Sequence, residues 1–314
     1  LQNWPETRIL VLTHVKELIE QNSKKMRLHW PNAPVGVYSA GMRMRELGEP
    51  ITFAGIQSVR NKGDAIGHID LCIVDECHLI SHKNEGGYRS LITKLTSINA
   101  NMKVIGLSAT PYRLGHGLIT DNGALFSNPL IEPVTIEELI YKGFLAPLRS
   151  KLTKTILDVS GVHKRGGEYI ESELQDAVDT DTNNMSVVQE VIAIAGDRKA
   201  WLFFCSGVNH AEHIATVLNS SGIPSACITG ETPKKQREDT IKDFKAGKLR
   251  ALTNANVLTT GFDYPDIDLI AMLRPTMSAS LYVQMAGRGM RVKSHTDHCL
   301  VLDFAGIVEI RSRL

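Results

Sequence analysis

The feature that most constrains this chain is a recurrence of short apolar runs separated by amphipathic stretches. Runs such as LCIVD at 71–75 and AWLFFCS at 200–206 carry almost no polar alternation. A strand apolar on both faces belongs inside a parallel sheet covered by helices, and parallel neighbours need a crossover long enough to hold a helix. The pattern therefore predicts an α/β fold built from strand-helix-strand units.

One series of strands is expected at 8–13, 34–39, 51–56, 71–75 and 103–110, and a second at 151–158, 200–206, 224–230, 249–254, 268–274 and 298–306. Helices are expected at 15–25, 88–98, 136–142, 184–195, 209–219, 233–244 and 278–285. Thr232 before Pro233 reads as an N-cap followed by a proline at the first helical position. The stretch 112–134 is rich in Gly, Pro and Asn without a period and reads as a connecting loop. With 314 residues, 43% of them hydrophobic, the chain can fill two ordinary cores. The domain change is expected near Ala146-Pro147, giving domains of 1–146 and 147–314.

Thirty-five Lys and Arg against thirty-four Asp and Glu leave a net charge of +1, so a polyanion would have to be met by a local patch. The five cysteines are scattered and never form C-x-x-C, which fits neither a disulfide framework nor a zinc ribbon. No apolar run approaches the roughly 18 residues of a membrane span and no signal segment opens the chain. The expectation is a soluble, cytoplasmic monomer with no membrane partner. The chain opens at Leu1 rather than Met, and LQNWPETRILVLTHV sounds like the tail of a helix before a strand. Something upstream is expected to be missing.

LCIVDECH, at 71–78, poses the functional question. In open α/β sheets ligands bind beyond the carboxyl ends of the strands, where Asp75 and Glu76 would lie. Adjacent carboxylates there can divide labour, one holding Mg²⁺ through water and the other orienting the water that attacks a γ-phosphate. Two other readings stay open: a soft metal site of Cys72, Cys77, His78 and His82, whose spacing matches no usual zinc pattern, and acids that merely solvate a strand end. Ser108-Ala109-Thr110 closes the next apolar strand, where small hydroxyl residues could bond the acid cluster, or simply form a turn before Pro111.

YVQMAGRGMR, at 282–291, is a second cluster. If helical, Gln284, Arg288 and Arg291 fall at i, i+4 and i+7 on one face. Guanidinium forks suit the charge spread over a transferring phosphoryl group, whereas the plain alternative is a solvated basic helix end. Gly287 and Gly289 argue against a plain surface helix. LTTGFDYPDID, at 258–268, places Gly261 and Asp263 at a turn where glycine permits close approach and an acid can accept a ribose hydroxyl. A simple turn is the alternative.

DECH, SAT, TTGFD and QMAGRGMR, in this order and in these strand contexts, resemble motifs II, III, V and VI of the superfamily 2 helicases and translocases. RILVLTHVKELIEQN resembles motif Ia, TFAGIQSV motif Ib, and WLFFCSGVNHAEHIA motif IV. Within that superfamily IVDECH, ANVLTTGFD and LRPTMSASLYVQMAGRGMR are most similar to the RadD-type DNA repair ATPases. DEAD-box RNA helicases are less similar, since Glu-Cys-His stands where they have Glu-Ala-Asp and Gln284-Met285 where they have His-Arg.

The resemblance implies two RecA-like P-loop NTPase domains with mainly parallel sheets, the first incomplete at its N-terminus, with ATP and Mg²⁺ as cofactors. It makes Asp75 the magnesium ligand through water, Glu76 the activator of the attacking water, Gln284 a nucleotide sensor and Asp263 with Gly261 the ribose turn. Arg288 and Arg291 would be arginine fingers, and His78, Ser108 and Thr110 would couple the nucleotide to nucleic acid. Thr13, His14, Gln57, Ser58, Thr229, Gly230 and Thr259 match backbone-contacting segments, with DNA favoured over RNA and repair or recombination proteins as further partners.

One departure stands out. No G-x-x-x-x-G-K-[ST] occurs in the 314 residues, and Gly247-Lys248 is followed by Leu249. Without that loop no backbone amides cradle the β-phosphate. The sequence thus predicts an ATP-dependent DNA motor present as a fragment that cannot turn over ATP. A restriction-system motor subunit and a non-catalytic nucleic-acid-binding fragment are the other readings.

Overall fold

The computed structural model describes residues 6–80, 86–110, 112–113, 117–120, 125–126, 134–258 and 262–306. The chain divides into two compact units, Leu1–Glu132 and Pro133–Leu314.

The first unit runs β1 (Ile9–Thr13), α1 (Lys16–His29), β2 (Val35–Ser39), β3 (Met44–Arg45), β4 (Ile51–Gly55), α2 (Ile56–Val59), α3 (Gly63–Ile66), β5 (Leu71–Asp75), α4 (Gly87–Ile98) and β6 (Lys103–Leu107), then a short hairpin of β7 (Tyr112–Arg113) and β8 (Gly117–Leu118). Its main sheet has the order β3-β2-β4-β1-β5-β6 and is parallel except for the short β3. Tyr88, Leu91, Ile92 and Leu95 of α4 repeat at 0, 3, 4 and 7, and all four are buried. Each aliphatic one contributes about 1.5–3 kcal/mol relative to exposure. They join Leu10, Leu12, Cys72 and Val74 in one core, so the helix face and two strands are fixed together.

The second unit runs α5 (Ile136–Tyr141), β9 (Leu148–Lys151), a hairpin of β10 (Lys164–Arg165) and β11 (Glu168–Tyr169), α6 (Glu171–Val178), α7 (Asp181–Ala195), β12 (Trp201–Cys205), α8 (Val208–Ser220), β13 (Ser225–Ile228), α9 (Lys234–Lys245), β14 (Ala251–Asn254), β15 (Leu269–Leu273), α10 (Ala279–Gly287) and β16 (Cys299–Asp303). Its six-stranded sheet, β13-β14-β12-β15-β16-β9, is parallel throughout. Cores lie on both faces, one centred on Trp201, Phe203 and α7–α8, the other on Leu202, Phe204, Phe244 and Met285. β12 is buried at every residue, as its unalternating apolar run demands.

Several expectations move. The compact-unit division at 132/133 falls before the expected change at 146/147; within the second unit the Ala146 N–H donates to the Met290 carbonyl at 2.8 Å. The strand expected at 151–158 is instead β9 at 148–151. Beyond it Leu152 and Ile156 are 84% and 57% exposed, and the Glu190 carboxylate takes the N–H groups of Lys154 and Thr155 that a ladder would need. β6 stops at Leu107 rather than 110, because the Ser108 hydroxyl accepts the Thr110 N–H and turns the chain. α9 begins at Lys234 with Pro233 as its cap, and the Thr232 hydroxyl accepts the Thr229 N–H at 2.9 Å, not a helix amide. The β10–β11 hairpin and α6 were not expected at all. No helix among the described residues is long and apolar enough to cross a membrane.

Candidate functional site

In the first unit the parallel register sets the site. Asp75 is the last residue of β5, paired with Leu107 of β6, so DECH and Ser108-Ala109-Thr110 leave the same sheet edge side by side. The Glu76 backbone is left-handed, φ 51°, a strained region for a non-glycine residue, and its N–H donates to Asp75 Oδ1 at 3.0 Å. That turn puts two carboxylates on consecutive residues at the edge. Asn22 Nδ2 lies 3.5 Å from Asp75 Oδ2. Oxygen donors at a half-exposed edge fit a hard cation held through water better than a soft one.

His78 is buried beneath the acids, its Nδ1 2.9 Å from Ser108 Oγ and 3.4 Å from Glu76 Oε2. The Ser108 hydroxyl donates to the Thr110 carbonyl at 3.0 Å, so the hydrogen between Ser108 and His78 has to come from Nδ1. Glu76, His78, Ser108 and Thr110 thus form one continuous polar chain from the strand end into the SAT turn. The soft-metal reading has no such support: burial pushes the Cys72 and Cys77 thiols up to about 12 and about 11, and no cluster of three ligating residues occurs among the described residues. His82 lies outside the described residues.

Beside Asp75, burial lowers the pKa of His14 against the opposing pull of the Asp75 charge. His14 Nδ1 and the Tyr88 hydroxyl are both buried without a hydrogen-bond partner among the described residues. Burial, then Asp75, raises the pKa of Tyr88. Gln57 Nε2 donates to the His14 carbonyl at 3.2 Å, and Ser58 Oγ accepts the Ala40 N–H at 2.9 Å. The Thr13 side chain is fully buried, with its hydroxyl 3.4 Å from the Val15 N–H, so it shapes the loop and presents no side chain to a strand.

In the second unit the expected helical face of Gln284, Arg288 and Arg291 does not form. α10 ends at Gly287, Arg288 sits in a 3-10 turn and Arg291 is extended, φ −67° and ψ 142°. The cause is Lys293, buried, whose ammonium donates to the carbonyls of Gly289 and Arg291 and bends the chain away. Gly289 makes this possible, since a Cβ there would stand 2.6 Å from Cys299 Sγ. The arginines nonetheless converge on the TTGFD turn: Arg288 Nη1 donates to the Phe262 carbonyl, and Arg291 Nε lies 3.3 Å from Asp263 Oδ1. Thr259 and Gly261 lie outside the described residues. Thr229 is buried, its Oγ1 accepting the Glu231 N–H at 3.3 Å, so Gly230, exposed beside it, is what the turn offers. Lys293 shapes this turn although no sequence pattern marks it.

Family models match both units. "Type III restriction enzyme, res subunit" matches residues 1–113 and "Helicase conserved C-terminal domain" residues 183–293. The candidate ATP-dependent helicase IRC3 of Saccharomyces cerevisiae is 27% identical over 304 residues, 95% of this chain and 43% of its own length. The chain spans about half the length of curated relatives that it matches. Among solved structures, an HsdR-subunit fragment of a type I restriction enzyme from Vibrio vulnificus superposes with TM-score 0.69 at 21% identity, over 97% of this chain and 54% of that one. Mycobacterium smegmatis helicase Lhr, solved with ssDNA and AMP-PNP, superposes with TM-score 0.59 at 17% identity, over 95% and 40%. Both units have the RecA-like fold, and the two family models, one on each unit, with the helicase relatives support a superfamily 2 helicase.

Proposed function

We propose that this chain is the motor part of a DNA-stimulated ATPase that moves on or remodels DNA in repair or recombination, as its resemblance to the RadD-type ATPases implies. The observation that carries the reading is the polar chain from Glu76 through His78 to Ser108 and Thr110 at one sheet edge. Mg²⁺, held through water by Asp75, would neutralise phosphate charge there. Glu76 orients and deprotonates the attacking water, and His78 passes the state of that carboxylate to the SAT turn. Arg288 and Arg291 supply cationic forks for the phosphates, Gln284 senses the nucleotide, and Asp263 with Gly261 accepts the ribose. His14, Gln57, Ser58, Thr229, Gly230 and Thr259 belong to segments that track a nucleic-acid backbone. Backbone tracking implies affinity that falls with salt and little dependence on sequence.

The chain contains no G-x-x-x-x-G-K-[ST]. The 314 residues alone are therefore expected to release no phosphate from ATP, and the same chain extended at its N-terminus by a segment carrying that loop is expected to do so. Phosphate release would be followed with single-stranded DNA, duplex DNA, RNA or nothing added. Stimulation by DNA with a silent 314-residue chain supports the proposal; robust hydrolysis by the 314 residues, or stimulation by RNA alone, overturns it. A second reading, the motor subunit of a restriction system, is favoured by the restriction-enzyme family match over the first unit and the likeness to HsdR. DNA cleavage dependent on ATP in the presence of co-encoded subunits would select it.

A further inference from the structure

The second unit contains an element that the motifs do not account for. Gly166 and Gly167, with φ 64° and 86°, supply the two positive-φ positions of a tight hairpin turn between β10 and β11. α6 follows at once and is pinned to the core by Leu174 and Val178, which are 2% and 0% exposed. The segment is thus a rigid arm on the unit's own core.

Two carboxylates on this arm reach the two functional segments. Glu168 Oε1 accepts the Met277 N–H at 3.0 Å, and Oε2 accepts the Ser278 N–H at 3.2 Å together with the Thr276 hydroxyl. It therefore gathers three donors immediately before α10, whose N-cap Ser278 accepts the Leu281 N–H at 3.2 Å. Glu171 Oε1 accepts Asn256 Nδ2 at 2.8 Å. Asn256 is itself left-handed, φ 60°, in the segment that leads from β14 to the Asp263 turn. Between them lies the largely buried Arg274, whose Nη1 has no hydrogen-bond partner among the described residues; burial lowers its pKa, and the charges of Glu171 and Glu168 oppose that shift.

At their far ends the same two segments meet again through Arg288 on the Phe262 carbonyl and Arg291 on Asp263. A helix of nine residues spans about 13 Å, so Glu168 acts on Arg288 through the rigid body of α10 and touches no reacting atom. We propose that Glu168 and Glu171 are positioning residues that set the spacing between the Asp263 turn and the Arg288 helix. Glu168 fixes where α10 starts, and Glu171 fixes how residues 254–258 leave β14. This rests on the ATPase reading above and adds the arm 164–171 to its machinery.

The test is steady-state phosphate release with DNA by the loop-extended chain, comparing wild type with Glu168→Ala, Glu168→Gln, Glu171→Ala and Glu171→Gln. Misplacement by about 1 Å costs up to about a hundredfold in rate. Glu168→Ala and Glu171→Ala are expected to lower kcat about tenfold or more while KM for ATP stays within about twofold. Glu171→Gln keeps the single acceptor that Asn256 uses and is expected to restore kcat to near wild type. Glu168→Gln offers one acceptor oxygen where three donors converge and is expected to fall between Ala and wild type. A hydrolysing wild type with unchanged kcat in both Ala variants overturns the inference alone. So does failure of Glu171→Gln to rescue when it melts like wild type. A loop-extended wild type that releases no phosphate overturns the ATPase reading, and this inference with it.

Discussion

The two units solve the same problem of placing charge by different means. In the first, Asp75, Glu76, Ser108 and Thr110 lie on consecutive ends of neighbouring parallel strands, so sheet register alone brings them together. In the second, Arg288 and Arg291 follow a helix that stops and turns, and they are aimed by the Lys293 ammonium, the Phe262 backbone carbonyl and the Asp263 carboxylate. Register is set by the core and tolerates surface change; an arrangement held by individual polar contacts can be lost by removing one of them.

The largest expected effect breaks the second arrangement at its tip. Arg288→Ala removes both the fork and its tie to the Phe262 carbonyl, and under the proposed arginine-finger role kcat for phosphate release by the loop-extended chain should fall about 10³-fold. Arg288→Lys should not restore it, since an ammonium lacks the fork.

A second contrast is in titration. His210 in the second unit is fully buried, its Nδ1 accepting the Ser206 N–H at 3.3 Å, and burial lowers its pKa to about 4. Its stabilising contribution is complete above the ordinary histidine value near 6.5 and is lost as pH falls from there through about 4. The linkage is on the order of 3 kcal/mol. Burial also lowers the pKa of His14 in the first unit, where Asp75 opposes the shift as Asp179 does at His210, but His14 is only half-buried. Urea unfolding between pH 7.5 and 4.5, read by Trp201 fluorescence with Trp4 and Trp30 replaced by Phe, should show the second unit weakening with acid. His210→Asn, which keeps an acceptor for Ser206, should flatten that dependence. A second unit equally stable at both pH values would refute this.

The smallest effect sharpens the comparison one unit at a time. A Cβ at Gly106 would stand 2.7 Å from Cys77 Sγ, beneath the DECH turn, and one at Gly289 would stand 2.6 Å from Cys299 Sγ. Alanine at either should cost about 1–3 kcal/mol by overpacking. Hydrogen exchange should localise the loss to the unit that carries the substitution.

The same difference decides what the sequence could reveal. The strand ends of the first unit were legible because unalternating runs such as LCIV, though Leu71 and Ile73 are only half-buried, mark sheet positions whose polar neighbours share an edge. Helix faces such as 88, 91, 92 and 95 were legible for the same reason of period. The end of α10 is not legible in the sequence because helical spacing continues through QMAGRGMR on paper, whereas Lys293, two residues beyond the motif, ends it through backbone carbonyls that no side-chain pattern marks. The arm at 164–171 left a trace only in its Gly-Gly turn, since two glutamates among thirty-four acids announce no partner until the fold supplies one.

The central claim is that Glu76 activates water at the strand end. Its most direct test is Glu76→Gln in the loop-extended chain, with ATP binding and DNA-stimulated phosphate release measured on the same sample. Glutamine keeps the size and the contact near His78 but cannot take a proton, so hydrolysis should fall about 10²-fold or more while ATP still binds. Phosphate release at the wild-type rate would contradict the account.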